Sequence, residues 1–183
     1  MTDLNEYLLQ KRTALYARKA RVEAGELGLA PLKANVSAEG RSGVRRIRIR
    51  DFQVVSDSPP DFVGYNLGPS SPELQLGVLG SCLTHSFLIQ AAAQQVPLES
   101  LDVEISAVID ARAGHPAHAD VPVYPQNLDY TVRIVSPASE EQITKLHAAV
   151  ERFCPILNLL RTPQSITGRV ELTAPDTATS KAA

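Results

Sequence analysis

Along the 183-residue chain the spacing of apolar positions changes several times, and each change marks an element. From residue 2 to 22, Leu4, Tyr7, Leu8, Leu15 and Val22 recur at steps of three, four and seven. That spacing predicts a helix with one apolar stripe, with Asp3 as N-cap and "GELGLAP" as its end. Lys11 and Arg18 fall on or beside the stripe, so their charges must snorkel out of it. Between Lys33 and Asp57 the period drops to two. "EGRSG" reads as a hairpin turn, Ile47 and Ile49 share a face opposite Arg46, Arg48 and Arg50, and "FQVVSD" is a further short strand. "SPPDFVGYNLGPSSP" (58–72) is a loop rich in Pro, Gly and Ser.

A long apolar helix then runs from about Pro72 to Gln95. Ser70 or Ser71 would cap it, and Pro97 ends it. "LESLDVEISAVIDAR" alternates, with Val103, Ile105 and Ala107 on one face. "LDYTVRIVS" alternates again, with Leu128, Tyr130, Val132 and Ile134 inward. A second helix opens either at Ser139, which can form a capping box with Gln142 three residues on, or at Ser136, which is followed by Pro137. Pro155 breaks or restarts that helix just after Cys154. "SITGRVEL" (165–172) reads as a closing strand, and 175–183 as a disordered tail. The expected architecture is α+β: antiparallel sheets packed on two long central helices, about 72–95 and 139–153. One domain spans 1–174, with 1–32 as an N-terminal helical extension. The 72–95 helix is apolar around most of its circumference, which favours a homodimer that buries it.

Composition changes this picture little but excludes several classes. With 18 basic and 20 acidic residues the net charge is −2, neither a nucleic-acid footprint nor a disordered acidic chain. The window from Leu74 to Ala93 has the length of a membrane span. It carries Gln75, Ser81, Thr84, His85, Ser86 and Gln90 around most of its circumference and lacks anchoring residues at its ends, so a buried core helix is expected, with no membrane partner. Two cysteines do not make a disulfide framework, and "MTDLNEYLLQKR" is no secretory signal; the reducing cytosol is the expected compartment. There is no phosphate-binding glycine loop, and no cofactor is called for.

Cys82, in "LGVLGSCLTHSF", is the residue with the most chemistry to offer. A bare cysteine on an apolar helix is ordinarily an inert small hydrophobe. Three features bear on it. Glu73, at the helix mouth, lies nine residues earlier, about 180° around a regular helix; it is suited to the helix dipole whether or not it has a further role. The hairpin carries Arg41, Arg45, Arg46, Arg48 and Arg50, and a guanidinium beside a thiol favours the thiolate, although strand arginines are commonly just solvated. Cys154, the only other cysteine, is followed at once by a proline.

The run "SPELQLGVLGSCLTHSFLIQAAAQQVPLESLDVEISAVIDAR", with the later "FCPILNLLR", resembles the OsmC/Ohr family and its two cysteine boxes. "RIRDFQVVSDSPPDFVGYNLGPSSP" is similar to the strand and Gly-Pro loop that precede the helix there. The resemblance covers roughly residues 33–173. It implies an intertwined homodimer and a thiol peroxidase acting on organic hydroperoxides, with a lipoyl-type dithiol as reductant. On it, Cys82 matches the peroxidatic cysteine, Cys154 the resolving cysteine and Glu73 the helix-mouth glutamate. Arg41, in "EGRSG", matches the catalytic arginine, with Arg46 and Arg48 as alternatives. Leu157 and Leu159 stand where the family usually has small residues, and the N-terminal helix is more typical of the OsmC-like branch.

Two rival chemistries start from histidine. His85, three residues after Cys82, shares its helical face and could form a Cys–His nucleophile, but no third orienting residue is identifiable. His115 and His118 have metal-ligand spacing, yet structural zinc sites pair close ligands twice and only one close pair exists, so no metal is expected. A different class also stays open: a non-catalytic ligand-binding or stress-associated protein on the same scaffold.

Overall fold

A computed structural model describes residues 3–40 and 42–173 of the chain. Arg41 and the tail from 174 onward lie outside the described residues, and with them the expected turn arginine and C-terminal boundary. The order is α1 (Leu4–Glu23), β1 (Asn35–Ala38), β2 (Arg45–Ile49), β3 (Phe52–Ser56), α2 (Ser71–Gln94), β4 (Ser100–Val108), β5 (Gln126–Val135), α3 (Glu140–Phe153) and α4 (Pro155–Arg161). β1, β2 and β3 form an antiparallel meander, while β4 and β5 pair antiparallel with Val103 opposite Val132 and Ile105 opposite Tyr130. The fold is α+β, as the alternation of periods implied.

Local chemistry sets the element ends. The Glu73 carboxylate accepts from the Ser70 amide (2.7 Å) and hydroxyl (2.6 Å), closing a capping box with Pro72 in the first turn of α2. At the other end Gln95 turns left-handed (φ 59°), the Val96 amide reaches back to the Ala91 carbonyl at 3.0 Å, and Pro97 follows. Ser139 and Gln142 cap α3 in the same reciprocal way, and Asp3 caps α1.

α2 is the centre of the protomer. It packs against α1, β4, α3 and α4, and its Leu79, Leu83, Phe87 and Ala91 join Leu98, Leu146, Val150 and Cys154 in one core. Gly80 lets β4 approach closely: a Cβ there would lie 3.2 Å from Ile105 Cγ1. α2 is long and apolar enough to cross a membrane by length and composition. α1 lies on α2 through Leu4, Leu8 and Leu15, and the Arg12 Nε donates to the Ala92 carbonyl at 2.9 Å.

Four expectations are corrected. Tyr7 and Val22 are exposed: the buried stripe of α1 runs through Leu4, Leu8 and Leu15, leaving Tyr7 beside it and Val22 beyond it in the last turn. Leu128, near the start of β5, is also exposed, bordering a cavity with Leu79, Leu157 and Leu160 that leaves it incompletely covered. Residues 165–172 form no strand: among the described residues no strand pairs with them, and Ile166, Val170 and Leu172 are each at least 90% exposed. Finally, among the described residues only the β4–β5 ribbon packs on the helices, and the β1–β3 sheet makes no extensive contact with them. That sheet is tied instead to the 57–70 loop. The buried Asp57 carboxylate accepts from the amides of Ser58 (2.7 Å), Tyr65 (3.0 Å) and Leu67 (3.1 Å), while Arg45 donates to Ser56, Ser58 and the Asp57 carbonyl. Burial pushes the Asp57 carboxyl up, but the three amides and the Arg45 charge outweigh it and leave it below the usual range.

Candidate functional site: a cysteine pair under the central helix

Cys82 occupies the middle of α2 and Cys154 the junction of α3 and α4. The junction follows from Pro155. A proline pushes the preceding residue out of helical geometry, and Cys154 is extended at φ −70°, ψ 113°. The chain bends there and α4 restarts with Pro155 in its first turn. Asn158 steadies the bend: its Nδ2 donates to the carbonyls of Cys154 (2.8 Å) and Glu151 (3.0 Å), and its backbone amide also donates to the Cys154 carbonyl at 3.1 Å. The bend turns Cys154 inward, fully buried, and sets its Sγ 3.5 Å from Cys82 Sγ across 72 residues of sequence. Both thiols are free.

The surroundings of Cys82 act on its thiol in opposite senses. Burial pushes its pKa up, the Ile156 amide pulls it down, the neighbouring Cys154 pushes it up again, and the Ser86 hydroxyl pulls it down. The balance is upward, and no cationic side chain among the described residues enters it. The sequence reading did not single out Ser86, Ile156 or Asn158 as site residues. Ser86, four residues after Cys82 on the helix, was the one detectable by spacing.

The other expected residues lie elsewhere in the protomer. Glu73 caps α2, and the Ser70 hydroxyl and amide hold its carboxyl below the ordinary range. It lines a separate cavity of about 630 Å³ with Asp57, Phe62, Leu76, Val108 and Pro125. Arg46 binds the Glu39 carboxylate and Gln53, and Arg48 binds Ser37 and lies 3.7 Å from Glu39; both are occupied on the β1–β3 sheet. His85 lies beside Cys82, where burial and then the Lys11 charge push its pKa below the ordinary value, so it is neutral near pH 7. His115 and His118 face each other in the β4–β5 loop with ring centres 5.6 Å apart. No group of three or more His, Cys, Asp or Glu is arranged to hold a metal among the described residues.

Two clefts open onto Cys82. One is a shallow apolar face of α2 with Leu74, Gly77, Val78, Ser81, His85 and Ile156. The other, about 530 Å³, runs between α1, α2 and the α3–α4 bend.

The family model for OsmC-like proteins matches residues 64–169, a span that contains α2, both cysteines and everything through α4. The chain belongs to the OsmC-like family. Solved structures share the fold at low identity. The OsmC-like protein from Mycoplasma pneumoniae is 18% identical over 72% of this chain and 88% of its own, with a TM-score of 0.62. An OsmC-like protein of unknown function from Vibrio cholerae is 16% identical over 73% and 96%, with a TM-score of 0.59. The organic hydroperoxide resistance protein OsmC from Legionella pneumophila is 17% identical over 74% and 92%, with a TM-score of 0.53. No curated protein matches the chain in sequence. The OsmC/Ohr family includes cysteine peroxidases and is associated with hydroperoxide resistance. α1 (residues 4–23) lies outside the residues that carry the family match.

Proposed function

We propose that this OsmC-like protein is a thiol peroxidase that reduces organic hydroperoxides to alcohols. The observation that carries the reading is the 3.5 Å separation of two free thiols beneath one helix. In the proposed cycle the Cys82 thiolate attacks the terminal oxygen of ROOH. The S–O bond forms as the O–O bond breaks, and the departing alkoxide takes a proton to leave as alcohol, with Cys82 now a sulfenic acid. The Cys154 sulfur then attacks the Cys82 sulfur, forming a disulfide and releasing water. An external dithiol of lipoyl type reopens it by exchange. The sulfurs need only move about 1.5 Å closer to bond. In a reducing cytosol the pair rests as thiols between turnovers.

Among the described residues no cation acts directly on the Cys82 thiol, and the proposed cycle takes that role from a homodimer. Supporting this are the apolar surfaces the protomer leaves uncovered: Val78 on α2, Phe52 and Val54 on β3, Phe62 and Tyr65 in the loop, and the 165–172 segment. Burying such surface drives association. In that assembly Glu73 and a hairpin arginine, Arg41 first, come to the thiol from the second copy, where the guanidinium stabilises both the thiolate and the leaving oxygen. A non-catalytic ligand-binding role is the second reading. What favours it is the upward-shifted Cys82 thiol, which is less ionised at neutral pH than an ordinary cysteine.

Consumption of cumene hydroperoxide with dihydrolipoamide, wild type against Cys82→Ser, decides between them. Loss of turnover in the variant is expected, and equal rates remove the peroxidase reading.

A further inference from the structure

The larger cleft at Cys82 has one wall from outside the family-matched residues. α1 presents Lys11, Ala14, Leu15 and Arg18 to it, at three- and four-residue spacing along one helical face. Opposite them stand Cys82, His85 and Ser86, and the apolar Ile89 and Phe153 line the cleft between. Lys11 is half-buried and Arg18 exposed at the cleft rim; the Lys11 Nζ donates to the Tyr7 hydroxyl at 3.1 Å and lies 5.2 Å from the centre of that ring, neutral partners that leave its charge without a counter-ion. Neither Lys11 nor Arg18 has a carboxylate within ion-pair distance among the described residues, whereas Lys19 and Arg21, farther along α1, are paired with Glu23 and Glu26. The Lys11 charge is felt inside the cleft, since it depresses the His85 pKa. An apolar cleft ending at a thiol and carrying two unpaired cations on one wall is built to hold an apolar body with a negative charge.

We propose that α1 makes Cys82 selective for carboxylate-bearing hydroperoxides, with Lys11 and Arg18 as the specificity-determining cations. The proposal rests on Cys82 being the reacting thiol. The apolar part of such a molecule lies against Leu15, Ile89 and Phe153, and its carboxylate meets α1. Neutral His85 adds no charge of its own, so the preference is set from α1.

The test has two arms, each a ratio between an anionic and a neutral reagent. The first compares alkylation of Cys82 by iodoacetate and by iodoacetamide, read at that residue by peptide mass spectrometry. It needs a thiol but no turnover. The second compares kcat/KM for a ring-carboxylated cumene hydroperoxide with that for cumene hydroperoxide. Lys11→Gln with Arg18→Gln is expected to lower both ratios about five-fold, from two charges removed at several ångströms in a partly solvated cleft. The control, Lys19→Gln with Arg21→Gln, removes the same charge from the paired positions and should leave both ratios in place. An unchanged alkylation ratio, or an equal fall in the control, overturns the proposal, as does a hydroperoxide ratio that stays fixed while the alkylation ratio falls. Absent hydroperoxide turnover with the alkylation effect intact supports the anion site and removes only the peroxidase reading. Should the double variant fail to fold, the wild type still decides. Raising salt from about 0.02 M to about 0.5 M must erode the iodoacetate preference, and a salt-independent ratio refutes it.

Discussion

Replacing Cys154 by serine tests the cysteine pair most directly, because the structure sets the size of the effect. A thiol confined within 3.5 Å of Cys82 Sγ corresponds to a local concentration on the order of 10 M, before any gain from orientation. An external thiol at about 1 mM is roughly 10⁴-fold more dilute, so without Cys154 the Cys82 sulfenic acid should outlive its wild-type counterpart by about that factor. Serine keeps the side chain nearly isosteric at a fully buried position, so the core is disturbed little. The assay adds one equivalent of cumene hydroperoxide to fully reduced protein and then dimedone, which traps sulfenic acid. Cys154→Ser should give a dimedone adduct on Cys82. Wild type should instead lose both titratable thiols and resist trapping until reduced. If wild type is trapped as readily as the variant, the two sulfurs do not react with each other and the resolving role of Cys154 is refuted.

Other consequences can be checked separately. Gly80→Ala puts a Cβ 3.2 Å from Ile105 Cγ1, so β4 must shift from α2 at a cost of about 1–3 kcal/mol, read as a lower urea midpoint. Tyr130 donates to the Glu151 carboxylate at 2.9 Å; burial, then that carboxylate, push its pKa up to about 12. A raised pKa gives stability that is intact below the unfolded value near 10 and lost as pH rises toward about 12. Tyr130→Phe should therefore remove part of the alkaline destabilisation, and spectroscopic titration should show one of the five tyrosines ionising last. Ile166→Asp with Val170→Asp, in the uncovered segment, should shift a dimer toward monomer in analytical ultracentrifugation without lowering protomer stability; an unchanged assembly would exclude that segment from the interface.

What a single chain reveals about its fold depends on how local the cause is. Caps and breaks are decided within a few residues, which is why the pattern narrowed the start of α3 to Ser136 or Ser139, of which Ser139 with Gln142 is the cap, and the proline at 155 marked its end. The alternation in β4 and β5 announced their pairing faces, since period two has one reading when the polar positions are charged. Residues 165–172 have the same alternation yet form no strand. A strand is completed by its neighbour, and pattern alone does not state whether that neighbour belongs to the same chain. Glu73 shows the limit in another form. Nine residues along a helix set it on the far side from Cys82, and in the protomer it spends its carboxylate on Ser70, so only the proposed second copy could bring it to the thiol.

The separation of the two sulfurs was beyond the pattern altogether, because no periodicity links positions 72 residues apart. Its cause is nevertheless local: a proline forces Cys154 out of the helix, and the inward turn that follows is what meets α2. Lys11 and Arg18 run the other way. In the sequence they are faults in an apolar stripe, which a stable amphipathic helix would ordinarily exclude, and snorkelling is the bland explanation. In the fold the same stripe runs past Leu15 to the mouth of the cysteine cleft, so the two faults fall where an unpaired charge can act on something other than water. A local rule broken without local compensation is where a functional cost is to be sought, and here both breaks line the cleft that opens onto one thiol.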